Sequence, residues 1–131
     1  MPKVKTHMMF QGEAENAVKL YASVFSDFQV RDIERYAEGE PGPVGAFKSA
    51  PVSFAGHELI IFDSPPMHDF TFTPSISLYV DLETPEEIEA AFAKLSEGGA
   101  VMMPLDDYGF SRRFGWLADR YGVSWQLNLP A

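Results

Sequence analysis

The chain has 131 residues and a mass of 14.6 kDa, the size of one domain that buries a core of its own. Hydrophobic residues make up 46% and charged residues 22% of the chain, a composition typical of folded globular proteins and not of disordered ones. Cysteine is absent, which excludes disulfides, thiolate catalysis and cysteine-bound zinc or iron–sulfur clusters.

Charge and hydropathy exclude further classes. Ten Lys and Arg against nineteen Asp and Glu give a net charge of −9, the wrong sign for a protein that binds nucleic acid or an anionic membrane. No apolar run approaches the roughly 18 residues of a membrane span, and the N-terminal residues lack the apolar core of a signal peptide. We therefore expect a cytoplasmic protein whose partners include neither nucleic acid nor a membrane.

The first half of the chain predicts one helix among four strands. Apolar side chains recur at helical spacing between residues 13 and 25, which predicts a helix with one apolar stripe. Glycines and prolines at 38–43 predict a loop, and Gly56 predicts a tight turn. The predicted strands are residues 3–10, 28–37, 44–54 and 58–63. A linker rich in proline follows at 64–74.

The second half predicts the same order of elements. Residues 75–81 alternate strictly between polar and apolar side chains, as a half-buried strand does. Thr84 and Pro85 are typical of the start of a helix, with Glu87 completing a capping box, and Gly98-Gly99 ends that helix. The remaining predicted strands are residues 100–105, 114–119 and 123–129.

Each half thus has the order β-α-β-β-β, and the tight turns at 54–57 and 120–123 fall at matching places. This correspondence indicates an internal duplication. We predict an α+β fold in which a single domain, residues 1–131, is built from two tandem βαβββ modules. The first module covers about residues 1–64 and the second about residues 74–131.

Segments along the whole chain resemble one protein superfamily. They are Met9–Ala17 with Tyr21, Phe72–Ser77, Tyr108–Ser111 and Trp116–Leu127. The last segment is similar to the end of vicinal oxygen chelate proteins, the glyoxalase/bleomycin-resistance/dioxygenase superfamily. The other segments resemble its PhnB-like branch, which carries the name 3-demethylubiquinone-9 3-methyltransferase. The resemblance implies two modules whose curved sheets face each other around a cup, and it implies a homodimer.

The glycines of the chain argue against methyltransferase activity. An enzyme of that kind usually binds its nucleotide-like cofactor at a glycine-rich turn that leads from a strand into a helix. Gly98-Gly99 follows a predicted helix instead of opening one, and the glycines between Gly39 and Gly45 lie among prolines in a loop.

The resemblance also implies one divalent metal ion, held by His and Glu on the first and last strands of both modules. The matching positions are Gln126, four residues after Gly122; Ile60, four after Gly56; Ser75; and either Thr6 or His7. Alternation does not choose between Thr6 and His7, because the next three residues are all apolar. Such a set supplies at most one good ligand. We therefore predict a site without metal; a bound ion would be held by His7 and Gln126.

Several side chains are candidates for the wall of a ligand pocket. They are His7, Asp63, Ser75, Ser77, Tyr79, Trp116 and Gln126. Asp63 ends a predicted buried strand and either faces the cup with Gln126 or caps the loop at Ser64. Trp116 and Trp125 belong either to the pocket or to the core or dimer interface. Aromatic walls with a few hydroxyl and amide groups suit a small, partly apolar ligand.

Two functions follow from these candidates. The first is a small-molecule-binding protein with a metal-free cup, for which no catalytic residue is predicted. The alternative is a lyase, isomerase or dioxygenase of the glyoxalase superfamily that depends on one divalent metal ion. A dimeric module with no ligand is a third possibility. The expected partners are a small-molecule ligand and a second copy of the chain.

Overall fold

The computed structural model describes residues 1–131 and contains two helices and nine strands. The chain divides into two compact units, unit 1 at Met1–Asp69 and unit 2 at Phe70–Ala131, so that unit 2 begins inside the predicted linker. Each unit contains one helix and one sheet. The predicted α+β fold of two similar modules is confirmed. Neither helix is long and apolar enough to cross a membrane.

Unit 1 is a five-stranded sheet with one helix. Its elements are β1 (Thr6–Phe10), α1 (Ala14–Val24), β2 (Phe28–Val30), β3 (Glu34–Arg35), β4 (Phe47–Phe54) and β5 (His57–Asp63). The strand order is β1-β5-β4-β2, and β3 also pairs with β4. The opening strand β1 lies parallel to the last strand β5, whereas the other pairs are antiparallel.

Unit 2 repeats this topology with four strands. Its elements are β6 (Ser77–Asp81), α2 (Pro85–Ser96), β7 (Ala100–Asp106), β8 (Arg113–Ala118) and β9 (Ser124–Leu129). The strand order is β6-β9-β8-β7, and the opening strand β6 again lies parallel to the last strand β9. The same arrangement in both units agrees with the predicted duplication.

One predicted strand is wrong. Residues 28–37 form two short strands instead of one, because Asp32 between them has a φ of 34° and turns the chain out of the extended conformation. Asp tolerates positive φ better than most residues. Both short strands still pair with β4, and the register shifts between Glu34 and Arg35.

The core of unit 1 lies between α1 and one face of its sheet. Met8 and Phe10 of β1 are buried there with Leu59 and Ile61 of β5. Four aromatic rings pack between the helix and the sheet. The centroid of the Tyr21 ring lies 5.5 Å from that of Phe28. The centroid of the Phe54 ring lies 5.3 Å from that of Phe28 and 5.0 Å from that of Phe25. This packing fixes which side chains of the sheet face the helix.

The core of unit 2 is built in the same way around Trp125. Ile88, Ala91 and Leu95 of α2 are buried, as are Trp125, Leu127 and Leu117 of the sheet. A Cβ at Gly115 would lie 2.4 Å from the Phe92 ring, so glycine at this position lets α2 lie close to β8. Trp125 is therefore a core residue and not part of the pocket wall, the two roles that the sequence left open for it.

Asp119 anchors the turn that precedes β9. Its buried carboxylate accepts hydrogen bonds from the Trp125 indole at 2.9 Å and from the backbone N–H groups of Tyr121 at 2.8 Å and Val123 at 3.1 Å. These bonds hold the turn against the core tryptophan, and they define where β9 begins.

We predict that Asp119→Ala lowers the free energy of unfolding by about 3 kcal/mol, because it leaves buried donors without an acceptor. Urea unfolding followed by circular dichroism measures this loss. Glu83→Ala, which removes an exposed carboxylate from the loop before α2, should change the free energy by less than about 0.5 kcal/mol. Equal losses in the two variants would contradict this account of Asp119.

Candidate functional site

Each sheet has one face packed on its helix and one face that is not, which we call the open face. Strand register assigns residues to these faces, since directly paired residues point to the same side of a sheet. In unit 2, Gln126 of β9 is paired with Tyr79 of β6 and with Trp116 of β8, and the buried Trp125 and Leu127 on either side of it point to the helix. The open face of unit 2 therefore carries Tyr79, Trp116 and Gln126.

A continuous hydrogen-bond network crosses this open face. The Trp116 indole Nε1 donates to Ser124 Oγ at 2.8 Å, Ser124 Oγ lies 2.7 Å from Ser77 Oγ, and Gln126 Nε2 donates to Ser77 Oγ at 3.1 Å. Gln126 Oε1 accepts no hydrogen bond from the protein. The network thus fixes the amide of Gln126 and leaves its carbonyl oxygen as a free acceptor.

An aromatic cluster lies on the same face. Its members are Tyr79, Tyr108, Phe110 and Phe114. The Phe114 ring is buried at the centre, with ring centroids at 6.2 Å for Tyr79, 6.1 Å for Tyr108 and 5.0 Å for Phe110. Tyr79 and Phe110 keep 53% and 60% of their surface exposed, so an incoming molecule reaches them directly. The Tyr108 hydroxyl donates to the Pro104 carbonyl at 2.6 Å, which holds that ring in place.

Two polar residues border the aromatic cluster. Asn128 of β9 is paired with Asp81 of β6 and with Phe114 of β8, and its Nδ2 donates to Asp81 Oδ1 at 2.8 Å. Burial raises the pKa of the Tyr79 hydroxyl, and the negative charge of Asp81 raises it further. The carboxylate, the amide and the cluster therefore form one continuous surface.

In unit 1 the structure settles the position of His7. His7 is paired with Ile60 on the open face, while the neighbouring Met8 is buried on the helix side. The exposed His7 ring lies 5.8 Å from the ring of Phe62. Thr6 is on the helix side, and its hydroxyl is hydrogen-bonded to His57 Nε2 at 3.1 Å. Of the two residues left open by the sequence, His7 is thus the one on the open face.

A groove of about 210 Å³ lies in the sheet of unit 1. Lys5, Arg31 and Glu58 contribute charged side chains to it, and the Lys5 and Glu58 side chains approach within 3.8 Å of each other. Nothing in the spacing of these residues along the sequence distinguishes them from solvated surface charges, so they were not predicted.

Asp63 does not lie on the open face. It is paired with the buried Phe10 on the helix side, and its Oδ1 accepts a hydrogen bond from the Gly12 N–H at 2.6 Å. Burial raises the pKa of this carboxyl, although the N–H groups of Gly12 and Ala14 favour its ionised form. Asp63 thus caps the start of α1, where Glu13 provides no side-chain cap. The alternative in which Asp63 faces the cup was therefore wrong. Asp63 does act as a cap, but of α1 and not of the loop at Ser64.

Ser75 also lies outside the candidate site. It precedes β6, is exposed, and its hydroxyl lies 2.8 Å from that of Thr73. The β6 residues paired with Ser124 and Gln126 are Ser77 and Tyr79. Counting along the sequence placed the metal-ligand position of this strand too early, because β6 begins two residues later than predicted.

The residues at the implied metal positions do not fit a divalent ion. Ile60 has no donor atom, Ser75 precedes β6, and Gln126 is a neutral amide bonded to Ser77, so His7 is the one imidazole or carboxylate at these positions. No group of three or more His, Asp or Glu side chains is placed so that it could hold a metal ion. Divalent ions in proteins are held by imidazole and carboxylate groups, so we assign no chemical step to a metal. The absence of metal itself stays a prediction.

Both helix N-termini are occupied by side chains of the chain itself. Asp63 binds the start of α1, and the Thr84 hydroxyl accepts a hydrogen bond from the Glu87 N–H at 3.1 Å at the start of α2. A phosphate or carboxylate of a nucleotide-like cofactor would need those N–H groups. Gly98 ends α2 with a φ of 75°, as predicted. These features give no support to methyltransferase activity.

Comparison with solved structures defines the class of fold. The chain matches the glyoxylase/bleomycin resistance protein/dioxygenase domain of Frankia sp. EAN1pec with a TM-score of 0.67 and 11% identity, covering 100% of this chain and 93% of that one. At this identity the likeness concerns the fold alone. The fold is that of the glyoxalase/bleomycin-resistance/dioxygenase proteins, as predicted.

The family follows from closer matches. The chain belongs to the family described as 3-demethylubiquinone-9 3-methyltransferase, whose model matches residues 2–128. It is 48% identical to the putative 3-demethylubiquinone-9 3-methyltransferase, PhnB protein, of Bacillus cereus, with a TM-score of 0.91 over 98% of this chain and 99% of that one. Protein YjdN of Escherichia coli is 26% identical over 96 residues, 73% of this chain and 65% of that protein. The predicted PhnB-like branch is confirmed.

The role of Asp63 predicts a pH dependence. The folded state holds the Asp63 proton more tightly than the unfolded state does, so this group stabilises the fold most below its unfolded pKa, near 3.9. The free energy of unfolding of the wild type, minus that of Asp63→Asn, should therefore fall as the pH rises from about 3 to about 7. Urea unfolding at several pH values measures the difference. A difference that rises with pH would contradict the assignment.

Proposed function

We propose that the protein binds a small, partly apolar molecule on the open face of unit 2 and that it does so without a metal ion. The observation that carries this proposal is the network of Trp116, Ser124, Ser77 and Gln126 beside the aromatic cluster. Binding sites for small molecules typically combine apolar and aromatic walls with a few fixed polar groups.

Each part of this surface has a defined use in the proposal. The exposed rings of Tyr79 and Phe110 supply apolar and stacking contact to a flat ligand. Gln126 Oε1 accepts a hydrogen bond from a ligand donor, since its own N–H group is held by Ser77. The side chains that orient these groups are buried or half-buried strand residues, which supports a preformed site.

The hydroxyl groups of the network favour binding over nucleophilic catalysis. A serine nucleophile needs an adjacent base that takes its proton. Ser77 and Ser124 are hydrogen-bonded to each other, to an indole and to an amide, and not to a histidine or a carboxylate. This arrangement supports a binding protein over an enzyme that uses a serine nucleophile.

We also propose that the protein is a cytoplasmic homodimer. The resemblance to vicinal oxygen chelate proteins implies two copies, and exposed apolar side chains outside the aromatic cluster are consistent with a contact between them. Among them are Ile76 and Val44, with exposed fractions of 79% and 66%. Light scattering on a sizing column should give the mass of two chains; a monomer at micromolar concentration would contradict the proposal.

Trp116 provides a reporter for ligand binding, because it lies on the open face whereas Trp125 is buried in the core. We expect its fluorescence to change saturably with at least one of three flat probes of equal shape: benzamidinium, benzamide and benzoate. Tyr79→Ala should weaken that binding by about fivefold through the loss of ring contact. Trp116→Phe should remove the fluorescence change.

Met67→Ala serves as the matched control, because Met67 is an exposed apolar residue of unit 1 and its loss should leave the affinity unchanged. If none of the three probes changes either the fluorescence or the melting temperature at millimolar concentration, the proposed function is wrong.

A further inference from the structure

Asn128 has a buried acceptor with no donor. Only 8% of the residue is exposed, and its Oδ1 is buried without a hydrogen-bond partner in the chain. The other end of the amide is fixed, since Nδ2 donates to Asp81 Oδ1 at 2.8 Å. Turning the amide over would place its oxygen against the carboxylate, so the observed orientation is the stable one. A buried acceptor without a donor is rare in proteins.

This acceptor lies between a carboxylate and aromatic rings. On the open face, Asn128 is flanked by Asp81 on one neighbouring strand and by Phe114 on the other. Asp81 is exposed, and its Oδ2 receives no hydrogen bond from the protein. The Phe114 ring is in turn surrounded by Tyr79, Tyr108 and Phe110.

These groups all favour the same kind of ligand, a cation that carries N–H donors. A carboxylate oxygen and an amide oxygen accept N–H donors, and the faces of aromatic rings attract cations. Arg113 of β8 does not compete for them, because it is paired with Leu129 and its guanidinium is bound to Glu89 of α2 at 2.6 Å. The net charge of −9 adds a field of the same sign.

We propose that the surface formed by Asp81, Asn128 and the aromatic cluster binds an organic cation, a protonated amine or amidinium carried on a flat apolar group. The N–H groups of the cation donate to Asp81 Oδ2 and Asn128 Oδ1, and its flat part stacks on the rings. Because Oδ1 is buried in the chain alone, a neighbouring side chain turns aside on binding. This inference rests on the proposed function and names the class of its ligand.

The test compares benzamidinium with benzamide, which has nearly the same shape and no charge. At roughly 0.15 M salt, which screens the general field of the protein, the wild type should bind benzamidinium at least about tenfold more tightly than benzamide. Asp81→Asn should abolish this preference, because it replaces the carboxylate by a neutral group of the same shape. An asparagine at position 81 still offers an oxygen to Asn128 Nδ2, so we expect the variant to fold; its melting temperature verifies this.

Glu86→Gln is the matched control. It removes the same charge from an exposed position in the first turn of α2, and it should keep the preference for the cation. Equal affinities of the wild type for benzamidinium and benzamide would overturn the inference and leave the proposed function standing. Equal losses in Asp81→Asn and Glu86→Gln would also overturn it, because the preference would then come from net charge. Failure of benzamidinium, benzamide and benzoate alike would overturn the proposed function itself.

Discussion

The parallel pairing of each opening strand with the last strand of its unit is the constraint on which the candidate site depends. A shift of one residue in such a pair would exchange the two faces of the strand. In unit 1, Met8 and Phe10 are held in register by their burial with Ile61 against α1. In unit 2, Trp125 fixes the register of β9 through its contact with Asp119. Every polar group on the open faces takes its position from these buried neighbours.

The two units use the same topology for different surfaces. Position four after the turn glycine is Ile60 in unit 1 and Gln126 in unit 2, and the residues paired with them are His7 and Tyr79. Unit 1 thus combines an imidazole with an aliphatic side chain, whereas unit 2 combines an amide with a phenol. The open face of unit 2 carries both a hydrogen-bond network and an aromatic cluster, which is why the proposed function is assigned there.

Local signals in the sequence were sufficient for much of this fold. Residues close together in the sequence determine the apolar stripes of both helices, the cap at Thr84 and the glycine end of α2. The break at Asp32 was missed because a positive φ at Asp leaves no clear mark in the sequence. The cap formed by Asp63 was missed because it joins residues 51 positions apart.

The candidate site was predictable only in part. Strict alternation placed Ser77 and Tyr79 on one face correctly, and the same rule applied around Gln126 would have found Ser124 and Asn128. The assignment of Ser75 to a metal-ligand position was wrong. The register of a parallel pair depends on how its buried side packs, and counting residues along one strand gives no information on that packing. Asn128 Oδ1 lacks a hydrogen-bond donor because of how β6, β8 and β9 pack side by side, and no single segment of the sequence predicts this.

The most direct test of a binding site without metal is the melting temperature of chelator-treated protein with and without added Mn²⁺, Co²⁺, Ni²⁺ or Zn²⁺. An ion present at a hundred times its dissociation constant would stabilise the fold by about 2.7 kcal/mol, a shift of several degrees for a chain of this size. The account predicts no saturable shift with any of these ions. A saturable shift with any one of them would contradict it.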